Sequence, residues 1–283
     1  MIITKNNYHY YEIPEKVINS KGAYSIEDKL GIGGNAAVYE CTDLLGNVYA
    51  IKFLLNFREK DRQRFEQEIS LLKELKHPHI IDYIDCGSVM GTQSKGNSID
   101  IPYLIMKKAD SNIIELMKKN EVMSYEMYAS QIRGLADALR CLHEKAVHRD
   151  IKPENILVCG ETWMLSDFGL CSAIDEAERL DVTHDRERVG PKYWLSPEAT
   201  DKVYFGANNI CEASDVYQLS AVFWFIITKR YPLGVICRDD YLSTDNKVCE
   251  ESLKSMTYDI NKRTPNGMEL YQNICNVTIN RDL

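Results

Sequence analysis

Apolar positions along the chain change their period twice. Over 25–30, 37–42 and 48–54 they alternate with polar ones, the two-residue repeat of half-buried β-strands, and Gly46-Asn47 marks a turn between the last two. Over 60–76 the repeat becomes helical, with Phe65, Ile69, Leu72 and Leu75 lining one face. His77-Pro78 ends that helix, because the residue before a proline is pushed out of the α region. The glycines, serines and polar residues between 87 and 98 read as a loop inside a hairpin. Beyond 107 the pattern is mainly helical. Ile132, Leu135, Leu139 and Leu142 form a stripe over 124–143, and 215–228 is apolar nearly all round, which predicts a deeply buried helix. Residues 1–23 lack a clear period and read as an N-terminal extension. The pattern predicts an α+β chain with a small sheet-based lobe followed by a larger helical one.

Length fits this division, since 283 residues at about 150 per domain allow two domains or lobes. A hydrophobic content of 45% excludes a wholly disordered chain. Lys and Arg total 34 against 42 for Asp and Glu, a formal charge of −8. That balance disfavours nucleic acid and anionic membranes as partners, yet leaves room for a basic cleft holding one small polyanion. The longest apolar run, 221–228, is far shorter than the ~18 residues a membrane span needs. The nine cysteines are odd in number, form no C-x-x-C pair and follow no apolar leader segment, so free thiols in a reducing cytoplasm are expected.

Candidate chemistry begins at Gly31-Ile32-Gly33-Gly34-Asn35-Ala36-Ala37-Val38. Glycines between two strands let backbone N–H groups approach a phosphate. Taken alone, the segment fits a plain turn equally well, and Ala36 replaces the third glycine of the usual G-x-G-x-x-G. In the next strand, period two puts Lys52 on one face with Val48 and Ala50. Such a lysine either reaches solvent from the strand end or meets an anion. Glu68 lies on or beside the packed stripe of the following helix, where an unpaired carboxylate is costly. Each residue supplies what the other lacks.

The decisive segment is His148-Arg149-Asp150-Ile151-Lys152-Pro153-Glu154-Asn155, whose five key residues match by chance in on the order of 10⁻⁴ chains of this size. Ile156-Leu157-Val158 and Trp163-Met164-Leu165 follow on either side of Gly160, then Asp167-Phe168-Gly169. If the two triplets pair as a hairpin, Asn155 and Asp167 bring oxygen ligands into one small volume, suited to Mg²⁺ with bound phosphate.

With these motifs the sequence resembles the protein kinase family from about Tyr24 to Arg263. The match takes in the glycine loop, Ala50-Ile51-Lys52, the helix glutamate, H-R-D-x-K-x-x-N and D-F-G. It continues through Ser196-Pro197-Glu198, Asp215 at the start of the buried helix, and Asp259 to Arg263. The resemblance implies a bilobal kinase fold within 24–283: an antiparallel N-lobe over 24–106, a hinge over 107–110 and a helical C-lobe over 111–283. It implies ATP as phosphoryl donor and Mg²⁺ as metal, with Mn²⁺ as a substitute. Gly31, Gly33 and Gly34 would cover the phosphates, and Val38, Ala50 and Leu157 would sandwich the adenine. Met106 takes the gatekeeper place, and Lys107 to Ala109 offer backbone groups to the base. Lys52, held by Glu68, would grip phosphates, while Asn155 and Asp167 would hold the metal. Asp150 would accept the hydroxyl proton and Lys152 would offset charge on the moving group. Glu198, Asp215 and Arg263 would be structural.

Lys152 resembles serine/threonine kinases, whereas Pro191 and Trp194 resemble tyrosine kinases. The serine/threonine reading is favoured because Lys152 stands beside the transferred group. Arg149, Phe168, Thr183 and Glu187 take regulatory positions. Glu187 either supplies a constant negative charge where a phosphothreonine usually sits or is an ordinary solvated side chain, with Thr183 or Ser172 as phosphosites. Glu154 and the acidic total charge lean towards protein substrates with basic residues near the target hydroxyl. Two other classes share part of the pattern: small-molecule phosphotransferases, and pseudokinases that bind without turnover. Ser196-Pro197-Glu198 and Arg263 speak against the first, and the complete set of ATP and metal residues against the second.

Overall fold

The computed structural model describes residues 1–6, 9–19, 21–94, 96–119, 123–173, 193–206, 209–234, 236–237 and 247–279. The chain divides into two compact units: Met1–Lys76 with Ile81–Ala109, and His77–Ile80 with Asp110–Leu283.

The first unit is an antiparallel sheet with one helix. Its strands are β1 (Ile2–Asn6), β2 (His9–Glu12), β3 (Lys16–Asn19), β4 (Gly22–Ile32), β5 (Ala36–Asp43), β6 (Val48–Leu54), β7 (Tyr83–Gln93) and β8 (Ser98–Lys107). They lie in the order β1-β2-β7-β8-β6-β5-β4-β3, and α1 spans Glu59–Glu74. Alternation along β6 turns Ile51 and Phe53 into the core, where Tyr39, Phe53 and Tyr103 meet edge to face at 6.1 Å. The helix stops at Glu74, two residues before the expected end, because Leu75 is already extended.

Two expectations are corrected here. Residues 1–23 are far from patternless in space, since they supply β1, β2 and β3. Ile3, Tyr11, Ile13 and Val17 are buried in one cluster with Tyr39, Cys41, Ile51, Phe53 and Tyr103. The sheet curls so that its two ends come back over this cluster. Lys29 of β4 reaches Thr4 of β1 at 3.5 Å, and Asn19 of β3 donates to Asp85 of β7 at 2.6 Å. Strands this short carry too few alternating positions to register as a period.

The stretch from 87 to 98 is mostly strand, with the turn confined to 94–97. Its glycines mark close packing. A methyl group at Gly87 would stand 2.6 Å from the Tyr103 hydroxyl, and one at Gly91 2.7 Å from Ile101.

The second unit is mainly helical. It contains β9 (Ser111–Asn112), α2 (Ile113–Lys119), α3 (Tyr125–Leu142), β10 (Ala146–Val147), β11 (Ile156–Cys159), β12 (Thr162–Leu165) and β13 (Ser172–Ala173). After these come α4 (Pro197–Phe205), α5 (Glu212–Thr228), α6 (Lys247–Ser255) and α7 (Gly267–Ile279). The α3 stripe of Ile132, Leu135, Leu139 and Leu142 is fully buried, as is most of α5. The expected hairpin forms, with Ile156 opposite Leu165 and Leu157 opposite Met164. Sequence order alone would place His77–Ile80 in the sheet lobe, but they pack with this unit. His77 meets Asp137 at 3.0 Å, and His79 reaches the Trp163 carbonyl at 2.8 Å. The His79 ring lies where a side chain at Gly134 would be, so α3 needs glycine there. An antiparallel sheet with one helix and a helical second unit make up the expected two-lobed α+β architecture. Among the described residues, no helix is long and apolar enough to cross a membrane.

Removing residues 1–21 should uncover the Tyr39–Phe53–Tyr103 face and lose the burial of Ile3, Ile13 and Val17, each worth up to about 1.5–3 kcal/mol. Thermal melting with an apolar dye should show a lower midpoint and new dye binding. An unchanged midpoint would make these strands dispensable.

Candidate active site

In the first unit, β6 and α1 bring together the two residues that the sequence left in need of each other. The Lys52 ammonium lies 2.7 and 2.9 Å from the two Glu68 oxygens, and Glu68 is 3% exposed. A carboxylate buried this far is tolerable because the lysine neutralises it. Ala50 is buried beside Lys52 on β6 and stands opposite Met106 of β8, while Val38 of β5 stands opposite Lys52. Gly31 lies near the end of β4, opposite Val38, while Gly33 and Gly34 lie in the turn to β5, which Gly33 N–H closes onto the Ala36 carbonyl at 2.8 Å. Lys107 and Ala109 follow at the end of β8, where Lys107 N–H donates to Asp82.

In the second unit, the chain between β10 and β11 carries a second cluster. The Asp150 carboxylate accepts from Lys152 Nζ at 2.8 Å and from Asn155 Nδ2 at 2.9 Å. Asn155 also donates to the Asp150 carbonyl. Burial pushes the Asp150 carboxyl above the ordinary carboxylate value; Asp167 adds to this, and Lys152 works against it. A carboxylate so placed is a stronger base than one in water. The hairpin brings Asp167 to the same place, as Ser166 N–H and Oγ both donate to the Asn155 carbonyl at 2.9 Å. Asp167 is exposed with φ 61°, while Phe168 is buried and packs on His148 at 5.0 Å. Leu157 is half-buried on β11.

The donor chemistry fits a hard divalent cation. The Asn155 amide nitrogen serves Asp150, which leaves the amide oxygen as its metal donor, and Asp167 adds an exposed carboxylate. Among the described residues, no three His, Cys, Asp or Glu side chains gather into a closed cage. An amide oxygen and a carboxylate are hard ligands of the kind a divalent cation takes together with waters and phosphate oxygens.

The loop that carries Asp150 is set by residues behind it. Asp215 is fully buried near the start of α5 and accepts from the N–H of His148 at 2.5 Å and of Arg149 at 2.8 Å. These bonds hold Arg149 at φ 71°, a left-handed conformation that a non-glycine residue rarely takes. Two further positioning residues escaped the sequence reading. His143 meets Asp215 at 3.1 Å through Nε2 while its Nδ1 receives Gly267 N–H. Gln218 accepts from Ile151 N–H at 3.0 Å. The signal for Gln218 was there: a polar side chain three positions after Asp215 on a helix otherwise apolar all round.

Ser196-Pro197-Glu198 opens α4 with a capping serine, a proline in the first turn and an acid near the helix N-terminus. Glu198 pairs with Arg263 through two bonds of 2.9 and 3.0 Å. The remaining guanidinium N–H groups go to the carbonyls of Thr257, Ala213 and Tyr258, so all five donors are satisfied. Burial alone would raise the Glu198 carboxyl, but Arg263 outweighs it and holds the group below its usual range. Of the regulatory candidates, Arg149 and Phe168 are buried and Ser172 lies in β13, whereas Thr183, Glu187 and Pro191 fall outside the described residues.

A model of the protein kinase domain family matches residues 24–281. The chain is 29% identical over 216 residues to a probable serine/threonine-protein kinase of Corynebacterium efficiens, covering 74% of this chain and 31% of that protein. It is 27% identical over 254 residues to the probable serine/threonine-protein kinase PknB of Lactococcus lactis, covering 87% and 37%. A plant relative, MAP3K epsilon protein kinase 1 of Arabidopsis thaliana, is 28% identical over 233 residues, covering 80% and 15%. The matched region thus spans between 15% and 37% of the length of these relatives.

Arg263→Ala should lower stability by about 3–5 kcal/mol, because it strands a buried carboxylate. Folding holds Glu198 below the ordinary glutamate value of 4.5, so the unfolded chain binds that proton more readily. The contribution is therefore complete above that value and drains away as pH falls through the lower folded one. Denaturant melts of wild type and variant should converge as the pH is lowered through that window.

Proposed function

The chain belongs to the protein kinase domain family, and from that premise we propose that it transfers the γ-phosphoryl group of Mg-ATP to serine and threonine hydroxyls of proteins, its own included. The observation that carries this reading is the convergence of Lys152 and Asn155 on Asp150 within 2.9 Å, in a loop braced by Asp215. Asp150 accepts the proton of the attacking hydroxyl as the new oxygen–phosphorus bond forms and the bond to the departing ADP breaks. Its raised pKa gives it the basicity to do so. Lys152 balances charge on the moving phosphoryl group, and Lys52, steadied by Glu68, grips phosphate oxygens. Asn155 and Asp167 hold Mg²⁺, or Mn²⁺ in its place, and the bound ion supplies charge neutralisation on the phosphates. Gly31, Gly33 and Gly34 offer backbone N–H groups to the nucleotide. Val38, Ala50, Met106 and Leu157 offer apolar surface to its base, which the backbone of Lys107 to Ala109 hydrogen-bonds.

Support for serine and threonine over tyrosine comes from Lys152 beside the reacting group, against the resemblance of Trp194 to tyrosine kinases. Trp194 is buried against Phe225, so its indole serves packing. The names of the bacterial relatives point the same way. The buried Glu198–Arg263 pair supports protein acceptors over small ones. Exposed Glu154 favours substrates with Arg or Lys near the target, acting in a reducing cytoplasm.

Asp150→Ala and Lys52→Ala should each abolish label transfer from ATP to the protein itself and to generic protein acceptors, with cooperative melting retained. Wild-type labelling in Asp150→Ala, or phosphotyrosine as the sole product in hydrolysates, would overturn the assignment. A pH series gives a second check. A base must be ionised to accept the proton, so kcat/KM falls as pH drops through the raised Asp150 value. Lys152→Ala removes a charge that pulls this value down, so its acid limb should lie at higher pH than that of wild type.

A further inference from the structure

The tip of the glycine loop is tied to α1 by a hydrogen-bond set that the reading above leaves unused. Asn35 stands at that tip. Its Nδ2 donates to Asp61 Oδ1 at 3.2 Å, its Oδ1 accepts from Asn56 Nδ2 at 3.2 Å, and its carbonyl accepts from Leu55 N–H at 2.7 Å. A solvent-exposed loop residue thus has all three of these polar groups engaged, by Leu55 and Asn56 between β6 and α1 and by Asp61 within α1.

Asp61 makes the arrangement more than a turn. It sits in the first turn of α1, three residues after the N-cap Arg58, whose side chain caps nothing. An acid there ordinarily reaches back to the N-cap N–H. Asp61 turns instead to a residue of the glycine loop. It is 4% exposed, and its Oδ2 has no hydrogen-bond partner among the described residues. An acceptor buried this way is unfavourable for stability, which points to another reason for the residue. Asp61 and Glu68 lie two turns apart on the buried side of the same helix. One end of α1 therefore holds the loop tip while the next two turns bring Glu68 to Lys52.

We propose that Asn35 and Asp61 are positioning residues that latch the glycine loop to α1, so that loop position and the Lys52–Glu68 pair are set together. The nucleotide consequence rests on the kinase reading; the latch itself does not.

The test pairs kinetics with hydrogen exchange. Asn35→Ala and Asp61→Ala should each raise KM for ATP by about 5–10-fold while changing kcat less, and the double variant should be no worse than either single one. Asp61→Asn, which keeps an acceptor for Asn35, should recover most of the loss. The thermal midpoint of Asp61→Ala should not fall, since that change also removes the unsatisfied oxygen. In nucleotide-free protein, the Leu55 amide should exchange faster in Asn35→Ala, a readout that needs no turnover. Additive effects, an unchanged KM in an active enzyme, an Asp61→Ala midpoint that falls in step with KM, or unchanged Leu55 exchange would each overturn the latch. An inactive wild type with faster Leu55 exchange in the variant would instead overturn the kinase reading and leave the latch standing.

Discussion

The buried carboxylate of Asp215 is the constraint on which the loop bearing Asp150 depends. It has no access to water, so its negative charge must be met by the N–H groups of His148 and Arg149 and by the ring of His143. The loop in turn uses the carboxylate, whose bonds to the His148 and Arg149 N–H groups help offset the left-handed backbone at Arg149. Each side makes the other tolerable. The geometry of Asp150, Lys152 and Asn155 follows from a contact that no substrate would touch.

Helix α5 is the common origin of these supports. It is apolar almost all round, and three of the polar side chains it buries, Ser214, Asp215 and Gln218, find partners inside the protein. Asp215 and Gln218 face the loop that bears Asp150, and Ser214 donates to Glu198, whose other partner is Arg263. Neighbouring residues of one helix thereby fix both the loop bearing Asp150 and the start of α4. Deep burial gives this helix a single position, and its few polar groups pass that position on.

Much of the site was legible because its chemistry is local in sequence. Asp150, Lys152 and Asn155 lie within six consecutive residues, and Lys52 and Glu68 each break an apolar pattern in a way that calls for a counter-charge. What escaped depends on partners distant along the chain. Gly87 and Gly91 read as loop residues because the side chains they accommodate, Tyr103 and Ile101, lie on the neighbouring strand. His143 is an ordinary helix end until Gly267 and Asp215 arrive from other elements. His77 and His79 follow a helix of one unit yet find Asp137 and Trp163 in the other. Periodicity reports which face of an element is buried; it does not report against what.

The curled sheet carries a consequence for how the chain comes off the ribosome. Some strands at the start of this unit precede partners that lie far along it, as β2 does β7. Asn19 waits for Asp85, 66 residues later, and for Tyr103, 84 residues later. At about 5–20 residues per second that delay is roughly 3–17 s. Throughout it the core around Ile3, Ile13 and Val17 lacks Ile101, Tyr103 and Ile105, and closure must then join segments far apart in the chain, the slow kind of step in β-rich topologies. The segment that completes the first unit is also its most exposed point during synthesis, and a holdase that shields apolar strands would act there first.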